Sequence, residues 1–254
     1  MEQHDTEEKY TCETCSTTIK IDAAFCHNCG APNSNPGHIS IFNNNNLRSA
    51  FIFYLLYFFI CLTVKYTDWF DSYNHLFWIE ILLAVITLLF AKANWHSLKP
   101  VLRFNHFRWT ILAGVILLAI IFSSVITLSI KQINISVFHT NVNMFGLYRD
   151  YQFPVLLMFY SVALVPAIFE ELAFRGVLYN YLGTFLHEGL VVTITGVVFA
   201  AIHLNFFSMP WLVPFGIFIG TLRKKYNTIW YGVIFHFVFN ITACLFDLYN
   251  QGAL

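Results

Sequence analysis

The stretch Pro166-Ala-Ile-Phe-Glu-Glu-Leu-Ala-Phe-Arg-Gly176 places two adjacent glutamates and an arginine inside a long apolar run. A charged side chain at the centre of a membrane-spanning helix costs about 2.5–3.5 kcal/mol on insertion scales, so three of them need a cavity or a pairing. Glu171 and Arg175 are four residues apart on one helix face, with the carboxylate on the favourable N-terminal side. Glu170 is rotated by about 100° from Glu171 and is left needing a different partner or a proton.

Two later apolar runs carry polar side chains at the same spacing. His203 follows Phe199 by four residues, and Asn240 follows His236 by the same interval. If these runs are helical, each presents one polar face, and the simplest packing turns all three faces toward one water-containing cavity. A single His or Asn in a membrane helix usually serves to join helices. Three polar faces together favour a functional site.

The composition of the whole chain is typical of a membrane protein. Of 254 residues, 57% are hydrophobic and 11% are charged, less than half the usual charged share, and the net formal charge is zero. This excludes a disordered chain and a protein that binds nucleic acid through a basic surface. The apolar runs predict an all-α polytopic membrane bundle of about seven transmembrane helices. Their approximate centres are Tyr57, Ala84, Leu118, Ser161, Val197, Phe215 and Val238.

The polar N-terminal segment resembles a short zinc-ribbon module. It holds four of the six cysteines, arranged as Cys12-x2-Cys15 and Cys26-x2-Cys29. Two such pairs facing each other make a tetrahedral four-sulfur site that suits structural zinc, although two disulfides or a rubredoxin-like iron site are alternatives. We predict a zinc ribbon over residues 1–32, a linker over 33–46 and a transmembrane domain over 47–254.

The distribution of Lys and Arg predicts the orientation in the membrane. With a cytosolic N-terminus, ten of the 14 basic residues lie on the cytosolic side, three lie outside, and Arg175 lies within the membrane. The reduced thiols of a four-cysteine site also require the cytosol. We therefore expect a multi-pass protein of the cell membrane with a cytosolic ribbon, which could bind a cytosolic protein partner. Seven spans would leave the C-terminus outside.

The ordered set Glu-Glu-x-x-x-Arg, Phe-x-x-x-His and His-x-x-x-Asn resembles the CPBP family. This family comprises CAAX prenyl endopeptidases and bacteriocin-processing enzymes. The resemblance covers about residues 154–245, including Pro166, Gly176 and the run Gly216-x-x-x-Gly220. It implies an intramembrane endopeptidase that hydrolyses a membrane-embedded or lipidated peptide or protein.

The resemblance also implies roles for individual residues. Glu170 would activate the attacking water with the help of His203, and Glu171 and Arg175 would hold the helix geometry. A carboxylate in an apolar site can take a proton from water and return it to the leaving amine, and amide or imidazole groups can stabilise the oxyanion or position the water. No metal is expected at this site. The catalytic residues carried over by position are Glu170, His203, His236 and Asn240.

Two other interpretations remain open. Glu170, His203 and His236 form a two-histidine, one-carboxylate set that could hold Zn²⁺ with an open position for water. The metal-free mechanism is favoured. If Glu170 were a metal ligand, only Glu171 would be left as the base, and the spacing pairs Glu171 with Arg175. The chain could also be a non-catalytic membrane partner on the same fold, such as a bacteriocin-immunity or regulatory protein. A transporter is disfavoured, since the sequence shows no internal repeat.

Overall fold

The computed structural model describes residues 9–20, 23, 25–31, 41, 44–70, 72–103, 108–140 and 143–253. Most of the linker predicted at 33–46 and the first eight residues of the predicted ribbon lie outside these ranges. Within them the chain is mostly helical, and a two-stranded antiparallel sheet precedes the helices. The sheet pairs β1 (Lys9–Thr11) with β2 (Thr18–Lys20).

Six helical segments of the described chain are long and apolar enough to cross a bilayer. The fifth predicted crossing, centred at Val197, is a shorter helix of 14 residues, against about 20 for a full crossing. In chain order the helices are α1 (Asn45–Tyr66), α2 (Tyr73–Ala93), α3 (Trp95–Leu98), α4 (Trp109–Ile133), α5 (Pro154–Met158), α6 (Val165–Glu171), α7 (Tyr179–Leu182), α8 (Glu188–Ala201), α9 (Met209–Tyr226) and α10 (Trp230–Asn250).

Local sequence signals explain where several helices begin and end. The side chain of Asn44 accepts a hydrogen bond from the backbone N–H of Leu47 and caps the first turn of α1. The ring of His187 caps α8 by accepting from the N–H of Gly189. Helix α9 ends at Tyr226, and the next residue, Asn227, adopts the left-handed conformation that asparagine tolerates well.

Helix α10 lies inside the bundle, while α1, α2 and α4 form much of its lipid-facing surface. In the most apolar stretch of α10, 44% of the residues are buried, against 17% in each of the other three spans. Helices α8 and α9 approach each other closely at Gly196 and Gly216. There is no room for a side chain here, since a Cβ on Gly216 would lie 2.8 Å from the Cα of Gly196. Near this contact, the ring of Phe199 on α8 lies 5.9 Å from the ring of His236 on α10.

The N-terminal ribbon packs at the end of the bundle where α8 begins. Gly30 has a φ of +74°, and a Cβ at this position would lie 3.2 Å from Cδ2 of His187. Next along the chain, Glu188 forms an ion pair of 3.7 Å with Lys224 near the end of α9. The basic run Arg223 to Lys225 therefore lies at the same end of the bundle as the ribbon.

Candidate active site

The two glutamates lie at the end of α6, which is flanked on both sides by wider helical turns. The π-helical segments Phe159–Leu164 and Leu172–Leu178 precede and follow it. A π turn contains one residue more than an α turn and often marks a functional site. Pro166 has no N–H to donate and its ring would crowd the preceding α turn, so the wider turn accommodates it. Glu170 and Glu171 come four and five residues after Pro166, and their side chains contact different neighbours.

Glu171 and Arg175 form a buried ion pair beneath the site. Oε1 of Glu171 lies 3.0 Å from Nη1 of Arg175, and both side chains are fully buried. Nη2 of the arginine donates to the carbonyl oxygen of Gly216 on α9 at 3.0 Å. The guanidinium carbon also lies 4.4 Å from the ring centre of Phe199 on α8. The pair predicted from the spacing is therefore present, and it connects three helices.

Glu171 also holds the imidazole of His236. The same oxygen, Oε1, lies 3.2 Å from Nδ1 of His236 on α10. Since a carboxylate only accepts, Nδ1 carries the hydrogen, and Nε2 of a neutral ring presents its lone pair. The second oxygen, Oε2, is buried without a hydrogen-bond partner among the described residues. It packs against Gly232, where a Cβ would lie 2.9 Å away.

Glu170 is the more accessible of the two carboxylates, and its side chain is 24% exposed. Its Oε2 lies 4.0 Å from Nε2 of His236, which is beyond direct hydrogen-bond distance and is a separation that one water can bridge. Among the described residues this oxygen makes no hydrogen bond. Glu170 is thus free of the arginine that neutralises Glu171, and it faces the histidine that Glu171 orients.

His203 lies in the turn after α8, not on the helix face that the spacing predicts. Helix α8 ends at Ala201. Leu204, three residues later, has a φ of +50°, which is not a helical value. The side chain still reaches back, with Nδ1 of His203 lying 3.0 Å from the carbonyl oxygen of Phe199. When Nδ1 donates this bond, Nε2 is left to accept a proton. The side chain is exposed and lines the cavity described below.

Asn240 joins α10 to the wide turn before α6. Its Nδ2 donates to the carbonyl oxygen of Val162 at 2.8 Å. Pro166, four residues after Val162, has no N–H with which to satisfy that carbonyl in a regular helix. Because an amide has two N–H hydrogens and an acceptor oxygen, this contact leaves one donor and the oxygen for another partner.

A cavity of about 240 Å³ brings the four predicted catalytic residues together. Glu171 and Arg175 lie behind its wall and do not line it. Aromatic rings form the apolar part of the wall, with Phe199 and Phe215 stacked at 5.8 Å. The cavity is lined by Val162, Pro166, Glu170, Phe199, His203, Leu212, Phe215, His236, Phe239 and Asn240.

The four cysteines of the ribbon also converge. Their sulfur atoms all lie within 4.8 Å of one another, with 3.6 Å between Cys12 and Cys29 and 3.5 Å between Cys15 and Cys26. These separations exclude disulfides, whose sulfurs lie about 2.05 Å apart, and match the edges of a zinc–sulfur tetrahedron. Hydrogen bonds from Thr17 lower the pKa of the Cys15 thiol to about 5, which favours a ligating thiolate. Within the described ranges, this is the only group of three or more His, Cys, Asp or Glu side chains close enough to share a metal ion.

The fold and the site define a polytopic helical membrane protein with carboxylates and histidines around an intramembrane cavity. Comparison with protein families gives a match to the family described as Type II CAAX prenyl endopeptidase Rce1-like, over residues 152–242. This segment contains the predicted residues of the cavity site, and the match supports membership of the CPBP family that the sequence resembles. These residues are Glu170, Glu171, Arg175, His203, His236 and Asn240. The family is one of proteases, which supports a hydrolase function for the chain. Comparison with curated proteins gave no match, and comparison with solved structures gave none.

Several contacts that build the site were not identified from the sequence. Gly216 supplies a carbonyl to Arg175, Gly232 makes room for the carboxylate of Glu171, and Val162 accepts from Asn240. A backbone acceptor carries no side-chain signature, so two of these contacts leave no direct trace in a sequence. Gly232 had one usable signal, because it lies four residues before His236 and therefore on the same helix face.

Proposed function

We propose that the chain is an intramembrane endopeptidase that hydrolyses a peptide bond with a water molecule activated by Glu170. The observation that carries the proposal is the contrast between two adjacent carboxylates. Glu171 is fully buried and paired with Arg175 at 3.0 Å, whereas Glu170 lines the cavity and makes no ion pair with Lys or Arg among the described residues. A carboxylate that no cation neutralises can act as a base.

The first step of the reaction adds water to the substrate carbonyl. In this step a water molecule bridges Oε2 of Glu170 and Nε2 of His236, which are 4.0 Å apart. The water donates one hydrogen to each of these two atoms. The water oxygen forms a bond to the carbonyl carbon as its proton passes to Glu170. The remaining N–H of Asn240 donates to the oxyanion that develops on the carbonyl oxygen.

The second step expels the amine. The tetrahedral intermediate breaks its bond between carbon and nitrogen, and the leaving nitrogen receives the proton that Glu170 has taken. His203, with Nδ1 held by the carbonyl of Phe199, is placed to help this transfer through Nε2. One water molecule is consumed, and a new carboxylate and a new amine are formed. The chain needs no metal at this site for these steps.

We further propose that the substrate is a membrane-embedded or lipidated peptide, since the cavity opens among helices that span the bilayer. The ribbon and the basic run Arg223 to Lys225 lie at the same end of the bundle, which supports a cytosolic position for that end. On this orientation α10 runs away from the cytosol. The ribbon, with one structural zinc, is then available to a cytosolic protein partner.

The test is a cleavage assay with purified protein in liposomes and a panel of peptides, each offered with and without an attached lipid chain. Glu170→Gln should abolish cleavage while the protein stays folded. The control is Glu188→Gln, because Glu188 is an exposed glutamate on α8 outside the cavity. Cleavage by the Glu170→Gln variant at the wild-type rate would remove Glu170 from the mechanism. Absence of cleavage of every peptide by the wild type would favour a non-catalytic partner.

A further inference from the structure

Helix α2 carries a carboxylate that the proposed reaction does not use. Glu80 lies within a membrane-spanning segment, where an ionisable side chain is costly and usually has a specific role. Its Oε1 accepts a hydrogen bond from the hydroxyl of Ser161. Its Oε2 is buried and makes no hydrogen bond among the described residues.

Through Ser161, Glu80 holds the wide helical turn that precedes α6. Ser161 belongs to the π-helical segment Phe159–Leu164, and the next residue, Val162, accepts the hydrogen bond of Asn240. Two consecutive residues of the wide turn are therefore held by two different helices. Glu80 on α2 holds one of them, and Asn240 on α10 holds the other.

The wide turn determines which side chain of the following helix faces the cavity. Val162, Pro166 and Glu170 are spaced by four residues and all line the cavity. A π turn contains one residue more than an α turn. If the wide turn relaxed to regular α-helix, the residues after it would shift in register by one position, which is a rotation of about 100°. Glu170 would then turn away from the cavity.

We propose that Glu80 is a positioning residue, which holds the wide turn through Ser161 and thereby directs Glu170 into the cavity. This inference rests on the proposed function of Glu170, but it concerns a residue outside the cavity wall. Glu80 does not touch the substrate. Its carboxyl acts through the hydroxyl of Ser161, and a glutamine at this position keeps an oxygen that can accept the same bond.

The kinetic experiment compares Glu80→Ala, Ser161→Ala, their double variant and Glu80→Gln in the liposome cleavage assay. Each alanine variant should lower kcat by roughly 10- to 10²-fold with little change in KM, since misplacement of a catalytic group by about 1 Å costs that much. The double variant should be no worse than either single variant, and Glu80→Gln should keep most of the activity. The matched control is Thr87→Val, because the buried hydroxyl of Thr87 on the same helix bonds to Tyr57 on α1 at 2.6 Å.

A second measurement does not depend on cleavage. Hydrogen–deuterium exchange of the peptide that covers residues 159–171 should rise in both alanine variants and stay near wild type in Glu80→Gln and Thr87→Val. Exchange that is unchanged in the alanine variants would overturn the inference, whatever happens to the proposed reaction. A loss of kcat in Thr87→Val equal to that in Glu80→Ala, or a Glu80→Gln variant as poor as Glu80→Ala, would overturn it too. If the wild type cleaves no peptide, the proposed function fails while the exchange result still decides the role of Glu80.

Discussion

Glu171 orients His236, because its Oε1 lies 3.2 Å from Nδ1 of the imidazole and can only accept a hydrogen bond. The same oxygen is 3.0 Å from Nη1 of Arg175, so one buried carboxylate atom receives two donors. The ion pair and the histidine are therefore parts of one network. A change in the pair should reach the cavity through the ring of His236, even though Glu171 does not line the cavity.

The first prediction concerns this orientation. In Glu171→Gln the amide can present its NH₂ to His236, which removes the acceptor that fixes the ring. We expect kcat to fall by roughly 10²-fold, as for a catalytic group displaced by about 1 Å, with KM nearly unchanged. Steady-state kinetics in liposomes measures this effect. Glu188→Gln serves as the control for loss of a glutamate, and a Glu171→Gln variant as active as that control would separate His236 from Glu171.

The second prediction concerns the stability of the ion pair. Arg175→Ala leaves the buried carboxylate of Glu171 without its cation, and breaking such a pair costs about 3–5 kcal/mol of unfolding free energy. Combining Glu171→Gln with Arg175→Met removes both charges and should recover part of that loss. Chemical unfolding in detergent measures Arg175→Ala, the single variants Glu171→Gln and Arg175→Met, and the double variant that combines these two. Strictly additive free energies would mean that the two side chains do not interact.

The third prediction concerns the space that Gly232 leaves for Glu171. A Cβ at Gly232 would lie 2.5 Å from Cγ2 of Ile219 and 2.9 Å from Oε2 of Glu171, so either the helices or the carboxylate must move. We expect Gly232→Ala to lower stability by about 1–3 kcal/mol, as overpacking does, and to reduce activity. Gly114→Ala on α4 is the matched control, since a Cβ there meets nothing within 4 Å. A Gly232→Ala variant as stable as Gly114→Ala would contradict this packing.

Much of the site follows from spacing alone. The interval from Glu171 to Arg175 predicts their ion pair, and the three polar runs predict one cavity, which the packing of α6, α8 and α10 provides. The four cysteines predict a common site, and their sulfurs converge. The ion-pair prediction succeeds because a helix repeats every 3.6 residues, so an interval of four reports a shared face. His203 reaches the cavity from the turn after α8 and not from a helix face.

Other features could not be predicted, because the spacing of residues reports a shared face only where the helix keeps its regular period. The π-helical segments Phe159–Leu164 and Leu172–Leu178 depart from that period. The first of them is held by hydrogen bonds to Glu80 and Asn240, which lie in distant parts of the chain. The sequence predicts a full crossing where the structure has the short helix α8. Hydropathy does not mark the turn after Ala201 that contains His203. Helix ends depend on tertiary contacts more than on local composition.

The fourth prediction concerns the metal. The full chain should bind about one Zn²⁺ through its four cysteines. Cys15→Ser should release it, since the thiolate of Cys15, whose pKa is lowered to about 5, is one of the ligands. A chain that begins at residue 44 should contain no stoichiometric metal and should keep its activity in the presence of a chelator. Metal analysis and the cleavage assay decide this together.

The same truncation tests the alternative of a metal in the cavity. Stoichiometric zinc in the truncated chain, lost together with activity on chelation, would assign the metal to Glu170, His203 and His236. These three side chains line one cavity.

The central claim is that Glu170 activates water and does not itself attack the substrate. A single turnover in ¹⁸O-labelled water, followed by mass analysis of both the product and the chain, tests it most directly. The account predicts one ¹⁸O atom in the new carboxylate of the product, none in the side chain of Glu170, and no product from Glu170→Gln. Label in the Glu170 carboxylate would mean a covalent intermediate, and product formation by Glu170→Gln at the wild-type rate would mean another base; either result would contradict the account.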